Sequence, residues 1–273
     1  MTGKSLRPGG GVKSEKAFEL SDELVTAAKK AAALYGVSSA VCEEDQLLGF
    51  LVNNRSDSVE AVEVYINDGD AHARQISGLI DFLRLPESAK VLEFASGFGR
   101  ITRHLVELHS KIDLVACDIH EDACVFLEEE LGITAVASSS EPEHLNVGNG
   151  FDLIFAVSFF SHLPEKNFGR WLKALYDCLA PGGHLMFTTH GESAVSLNPE
   201  FWNSMPEGPS RGHRFLPHSD QLDLDQSNYG TSLALPVFVM KMMREFIPGA
   251  QMIRSLKGQW FQIQDEWIIQ KQR

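Results

Sequence analysis

Glu93, Gly97 and Gly99 fall within one short stretch, Val91-Leu92-Glu93-Phe94-Ala95-Ser96-Gly97-Phe98-Gly99-Arg100, which runs on into the amphipathic segment 101–109. An apolar strand that ends in an acid, turns through glycines and enters a helix is a cradle, because glycine lets the backbone approach a ligand closely. The acid selects the ligand. In a dinucleotide cradle a third glycine packs helix on strand, and an anionic pyrophosphate sits at the helix N-terminus. Here only Gly97 and Gly99 are present, with Ala95 before them in the turn, and Glu93 would repel a phosphate but suits a cation. Alanine is tolerable at that turn provided its φ stays below zero. An isolated Gly-x-Gly can also serve as a mere connection, so the later elements decide.

A second acid, Asp118, closes the apolar run 113–118 about 20 residues beyond the glycines, the position from which a neighbouring strand accepts the hydroxyls of a ribose. Its competing role is to cap the next helix, 121–131, which Glu121 and Asp122 are better placed to serve. A further strand at 151–158 runs on into Ser158-Phe159-Phe160-Ser161-His162, and another at 184–189 ends at His190. Ligands of open parallel sheets bind beyond the C-terminal strand ends, so Ser158, His162 and His190 face the site. Imidazole titrates near neutrality, and either histidine is a candidate general base or a hydrogen-bonded wall residue.

These residues need a scaffold. The chain has 273 residues, 44% of them hydrophobic and 22% charged, enough for one enlarged α/β unit. A net charge of −13 without Lys or Arg clusters argues against nucleic acid as a partner. The four cysteines show no metal-type pairing and fit a reducing cytoplasm, and no signal core or membrane span is legible. Residues 1–15 read as a flexible tail, and 16–85 as an N-terminal helical cover. Within that cover Leu24, Ala27, Ala28, Ala31 and Ala32 share one helix face, and Leu47, Leu48 and Leu51 mark a second helix. The segment 62–70 reads as a short apolar piece ending in a turn, before a helix bearing Ile76, Leu79, Ile80 and Leu83. There Tyr65 and Asp68 either close over the ligand or, for Tyr65, pack with a satisfied hydroxyl.

The helix after 164 presents Phe168, Trp171, Leu172 and Leu175 to a core. Residues 193–236 show neither periodicity, carry four prolines between 199 and 217, and read as a long loop forming a substrate lid that ends near Tyr229. His213, His218 and Asp220 lie in it, with His190 and Glu192 nearby, but the spacing fits no zinc pattern and predicts solvated side chains. Next comes a helix with Val237, Met240, Met243 and Ile247 on its apolar face, widened by Met242 and Phe246. Segments 251–256 and 264–270, joined through Lys257-Gly258, predict a terminal hairpin.

The ordered series of Glu93-x-Ala-x-Gly-x-Gly, Asp118, Ser161-His162-Leu163, LAPGGHLMFTTHG and the closing Gln264-Asp265-Glu266-Trp267 resembles the class I S-adenosylmethionine-dependent methyltransferases, in a bacterial small-molecule branch. The resemblance covers residues 62–273. It implies an α/β, doubly wound, seven-stranded and mostly parallel sheet of order 3-2-1-4-5-7-6 with helices on both faces, spanning 86–273. It also implies S-adenosyl-L-methionine at Glu93, Ala95, Gly97, Gly99, Asp118 and Ser158, and methyl transfer to an oxygen or nitrogen of a small-molecule acceptor near Tyr65, His162, His190 and Tyr229. Where the family commonly carries an acid or amide for the adenine amino group this chain has Ser138-Ser139-Ser140, so a backbone contact or Ser139 substitutes, or the serines cap the loop. Ala95 and these serines favour the alternative of a non-catalytic binding or regulatory protein. A nicotinamide-dependent oxidoreductase is disfavoured by Glu93 and the missing glycine. No metal site is expected.

Overall fold

The computed structural model describes residues 12–219, 221 and 223–273. Its central sheet has the order β3-β2-β1-β4-β5-β9-β8. The strands β1 (Lys90–Phe94), β2 (Asp113–Asp118), β3 (Thr134–Ala137), β4 (Phe151–Ala156) and β5 (Leu179–His190) run parallel. The last two, β8 (Ala250–Trp260) and β9 (Gln264–Lys271), form the expected antiparallel hairpin, with β9 paired to β5. Being the sixth and seventh strands of this sheet, they give the order anticipated from the sequence.

Strand alternation sends Leu92, Phe94 and Ile154 to one face, where they pack with α6 (Glu165–Asp177) and α9 (Pro236–Phe246). It sends Val91, Leu153 and Phe155 to the other, against α3 (Ser58–Leu83) and α4 (Thr102–Leu108). Helix α5 (Glu121–Leu131) joins β2 to β3. Helix α1 (Asp22–Ala33), α2 (Gln46–Asn54) and the first half of α3 share a further cluster around Leu24, Ala28, Leu48, Val62 and Tyr65. In α1 the five residues read as one face are the five buried ones.

Several expectations are corrected. Residues 1–11 lie outside the described residues, but Val12 and Ser14, read as tail, are fastened. Val12 bridges residues 119 and 121 through its N–H and C=O at 3.0 and 2.9 Å, and the Ser14 N–H donates to Asp122. The apolar piece and turn at 62–70 are instead the middle of α3, capped by Asp57. Val62, Tyr65, Ile66, Ala73 and Ile76 form one helical stripe, and Gly69, taken for a turn, is the point where α3 meets the neck of α4. A Cβ there would lie 2.4 Å from the Arg100 carbonyl oxygen.

The segment 193–236 is not a featureless loop. It holds α7 (Glu192–Leu197), α8 (Pro199–Ser204) and the pair β6 (His213–Leu216) and β7 (Thr231–Ala234). Pro199 was read as an interruption, but at N1 after the Asn198 cap it starts a helix. On α9 the buried face is Phe238, Val239, Met242 and Met243, while Val237 and Met240 are exposed. The closing turn spans residues 261–263 between Trp260 and Gln264, and Phe261 and Gln262 both have positive φ. Lys257-Gly258 lies within β8, at a register shift between Leu256 and Trp260.

Candidate functional site

Beyond the C-terminal ends of β1, β2, β4 and β5 lies a cavity of about 690 Å³. Its wall brings together Tyr65, Glu93, Ala95, Gly97, Asp118, Ser139, Ser158, His162, His190 and Tyr229. Nothing but the fold unites them, since they come from α3, five strand ends and the 193–236 insertion.

Glu93 is buried and accepts a 2.6 Å hydrogen bond from the Thr102 hydroxyl. Burial pushes its pKa up to about 8, with the charge of Asp118 adding to the rise while Thr102 and Arg100 oppose it. A buried neutral acid of this kind ionises readily once a cation arrives. Ala95 has φ +60°, so the condition set for tolerating alanine fails, and an L-residue is held in the left-handed region at a cost of about 1–2 kcal/mol. Gly97, at φ +54°, has nothing within 4 Å of a Cβ built upon it, and its N–H donates to Asp118 Oδ2 at 2.7 Å. Gly99 is a correction. It faces α5 rather than the cavity, and a Cβ there would lie 2.5 Å from Leu131 Cδ1.

Asp118 lines the cavity and does not cap α5, whose N-cap is His120 with no side-chain capping bond. Its Oδ1 accepts from the His120 backbone N–H at 3.0 Å and ring Nδ1 at 2.9 Å, and His120 Nε2 reaches Asp223 of the insertion at 3.0 Å. Burial opposes the His120 charge, but the hydrogen bonds and charges of Asp118 and Asp223 outweigh it and raise the pKa to about 10. The imidazolium therefore ties the insertion to the strand end. Ser139 Oγ accepts from the Glu141 N–H at 3.2 Å, the loop-capping alternative. Ser158, at φ +61°, shares its hydroxyl with the Gln264 side-chain amide, and Thr188 donates to the same amide oxygen at 2.6 Å.

Also on the wall, His162 Nδ1–H donates to the Gly230 carbonyl at 2.6 Å, and its ring stacks on Tyr229 with centroids 4.7 Å apart. His190 Nδ1–H donates to the Ser232 carbonyl at 3.1 Å, and the ring lies against Trp202. Burial lowers the His190 pKa to about 4, with the neighbouring His162 adding to the effect. Tyr65 is fully buried and donates to Asp45 Oδ2 at 2.6 Å, so its hydroxyl is satisfied at the wall. Asp68 is exposed on α3, away from the cavity. His213, expected in solvent, is buried with Nε2 on the Leu163 carbonyl. Asp220 lies outside the described residues, and among those described no cluster of three His, Cys, Asp or Glu could hold a metal ion. No helix among them is long and apolar enough to cross a membrane.

Sequence reading missed Asp45, Arg100, His120, Asp223 and Gln264 as cavity residues. Arg100 and Gln264 had a signal, one directly after the glycines and the other inside the closing motif. Asp45 and Asp223 had none, because only tertiary packing carries them there.

Residues 92–185 match the family model described as a methyltransferase domain. A malonyl-[acyl-carrier protein] O-methyltransferase of Calditerrivibrio nitroreducens is 31% identical over 102 residues, which is 37% of this chain and 38% of that protein. The match thus spans well under half of the curated relative. Among solved structures, the PH0226 protein of Pyrococcus horikoshii aligns with TM-score 0.54 at 12% identity, covering 74% of this chain and 90% of that one. An S-adenosylmethionine-dependent methyltransferase from Clostridium acetobutylicum aligns at 0.52 and 13% identity, covering 74% and 91%. A magnesium protoporphyrin IX methyltransferase of Synechocystis with bound SAH aligns at 0.50 and 13%, covering 77% and 87%. At such identities these structures establish the fold.

Proposed function

We propose that this chain, which carries a class I S-adenosylmethionine-dependent methyltransferase domain, transfers the methyl group to an oxygen or nitrogen of a small-molecule acceptor held beneath the 193–236 insertion. When bound, S-adenosylmethionine supplies the activated methyl group. The carrying observation is that one cavity unites a buried acid for a cation, a second acid at the neighbouring strand tip, an open glycine between them and the side chains of His162, Tyr229 and Gln264. These residues fit the cofactor. Glu93 holds the ammonium, Gly97 gives the backbone room, and Asp118 accepts from the ribose through Oδ2, whose one donor among the described residues is Gly97.

The insertion excludes water and aligns the acceptor behind the methyl, and such positioning supplies most of the acceleration. For a hydroxyl acceptor His162 is the base. Its Nδ1–H donates to the Gly230 carbonyl, which fixes the ring at the cavity wall. His190 is too weak a base near neutrality and orients the wall. The strained Ala95 is what keeps a purely binding role in view. Single-turnover incubation with methyl-labelled S-adenosylmethionine and a panel of hydroxyl, carboxyl and amine acceptors separates the two: labelled product supports the enzyme, whereas tight binding with no transfer to any acceptor favours the binding protein.

A further inference from the structure

Arg100 follows the glycine turn and is only 8% exposed. A guanidinium has five N–H donors and stays charged. Among the described residues its side chain makes a single hydrogen bond, Nη1 to His72 Nδ1 at 3.0 Å. His72 is neutral, its pKa lowered to about 3 by burial and by Arg100 itself, so it accepts without balancing the charge. Among the described residues no carboxylate comes within ion-pair distance of Arg100. Lys16, Arg74, Arg170, Arg214 and Arg254, all more exposed, each have one.

The acids nearest in effect, Asp45, Asp68 and Glu93, act on Arg100 only at longer range. Asp45 is engaged by Tyr65 and the Leu48 N–H, Asp68 is exposed on α3, and Glu93 is held by Thr102 with its pKa near 8. The guanidinium lies under the hairpin turn, 5.5 Å from the Phe261 ring centroid, and lines the cavity. A buried charge without a partner is expensive, and an arginine fork is shaped for a carboxylate.

We propose that Arg100 is a carboxylate-binding residue of the cavity, receiving a ligand carboxylate on the donors that His72 leaves unused. With Glu93 in the same cavity the pair suits an amino-acid zwitterion, ammonium to Glu93 and carboxylate to Arg100. The same fork would also seat an acidic acceptor. This rests on the methyltransferase reading and extends it to a residue for which no role was expected.

The test is calorimetric titration of the wild type, Arg100→Leu and Arg100→Lys with S-adenosylhomocysteine and with its decarboxylated analogue, alongside single-turnover transfer to acceptors offered as carboxylic acid or as primary amide. If the carboxylate comes from the cofactor, the wild type prefers S-adenosylhomocysteine by about 10- to 100-fold, the usual worth of a hydrogen bond to a charged group. Arg100→Leu then binds both compounds alike, and Arg100→Lys recovers part of the preference. If it comes from the acceptor, cofactor affinity is the same in all three proteins, while Arg100→Leu raises KM for the acid and not for the amide. Should Arg100→Leu not fold, the wild-type comparison of the two ligand pairs still decides. A wild type that binds S-adenosylhomocysteine but discriminates in neither pair overturns the Arg100 site. A wild type that does not bind it at all overturns the methyltransferase reading beneath it.

Discussion

Gly97 and Gly99 lie in one turn, and alanine at each should fail for a different reason. Both have positive φ, +54° and +75°, so either alanine strains the backbone by about 1–2 kcal/mol. Reduced freedom of the unfolded chain offsets about 0.4–1 kcal/mol of that. At Gly97 nothing lies within 4 Å of the new methyl, so the net loss of stability is roughly 0.5–1.5 kcal/mol, or a few degrees in melting temperature for a chain of this size. The methyl enters the space beside Asp118 where a ligand must come close, and S-adenosylhomocysteine affinity should fall about 10-fold or more, equivalent to roughly 1.4 kcal/mol of lost contact. At Gly99 the methyl meets Leu131 Cδ1 at 2.5 Å and Leu127 Cδ2 at 2.8 Å. Overpacking adds about 1–3 kcal/mol, and melting should fall by roughly 5–15 °C, while the folded fraction keeps its affinity. Scanning calorimetry and isothermal titration on both variants measure the two effects. The reasoning fails if Gly99→Ala loses affinity at unchanged stability, or if Gly97→Ala binds as the wild type does.

Ala95→Gly removes the strain at φ +60° and should stabilise the protein by about 0.5–1 kcal/mol after the added freedom of the unfolded chain. A lower melting temperature would mean that the Ala95 methyl contributes packing that outweighs the strain. Given a verified hydroxyl acceptor, His162→Gln should lower single-turnover transfer by about 10²–10⁴-fold with cofactor affinity unchanged. His190→Gln should lower it far less and act mainly on stability, and equal losses would refute the assignment. Because the folded pKa of Glu93, about 8, lies above its ordinary value of 4.5, its contribution to stability is greatest below pH 4.5 and is lost as pH rises toward 8. The ligand-free wild type should therefore lose melting temperature across that window relative to Glu93→Gln. Binding of the ammonium ligand near pH 7 should release a proton, seen as a dependence of the binding enthalpy on buffer ionisation, and a release undiminished in Glu93→Gln would exclude Glu93 as its source.

Elements whose partners lie close in the chain were legible from residue pattern alone. Glu93 ends a strand, Gly97 turns it and Asp118 ends the next, and these local facts carry the cradle because adjacent parallel strands bring their C-terminal tips together. The helix faces of α1 and α6 were legible for the same reason, a 3.6-residue period that needs no partner to be recognised. Tertiary structure decided what depends on a surface the sequence does not display. Gly69 looks like a turn until α4 requires the close approach, and Gly99 looks like a ligand glycine until α5 occupies its other side. His190 is an ordinary imidazole until burial strips its basicity. The pairing of β6 with β7, the bridge from Asp118 through His120 to Asp223, and the uncompensated charge of Arg100 all join residues far apart in the chain. Only the loss of water around them, and the hydrogen bonds that must replace it, determine which of those side chains are satisfied within the protein and which are left for a ligand.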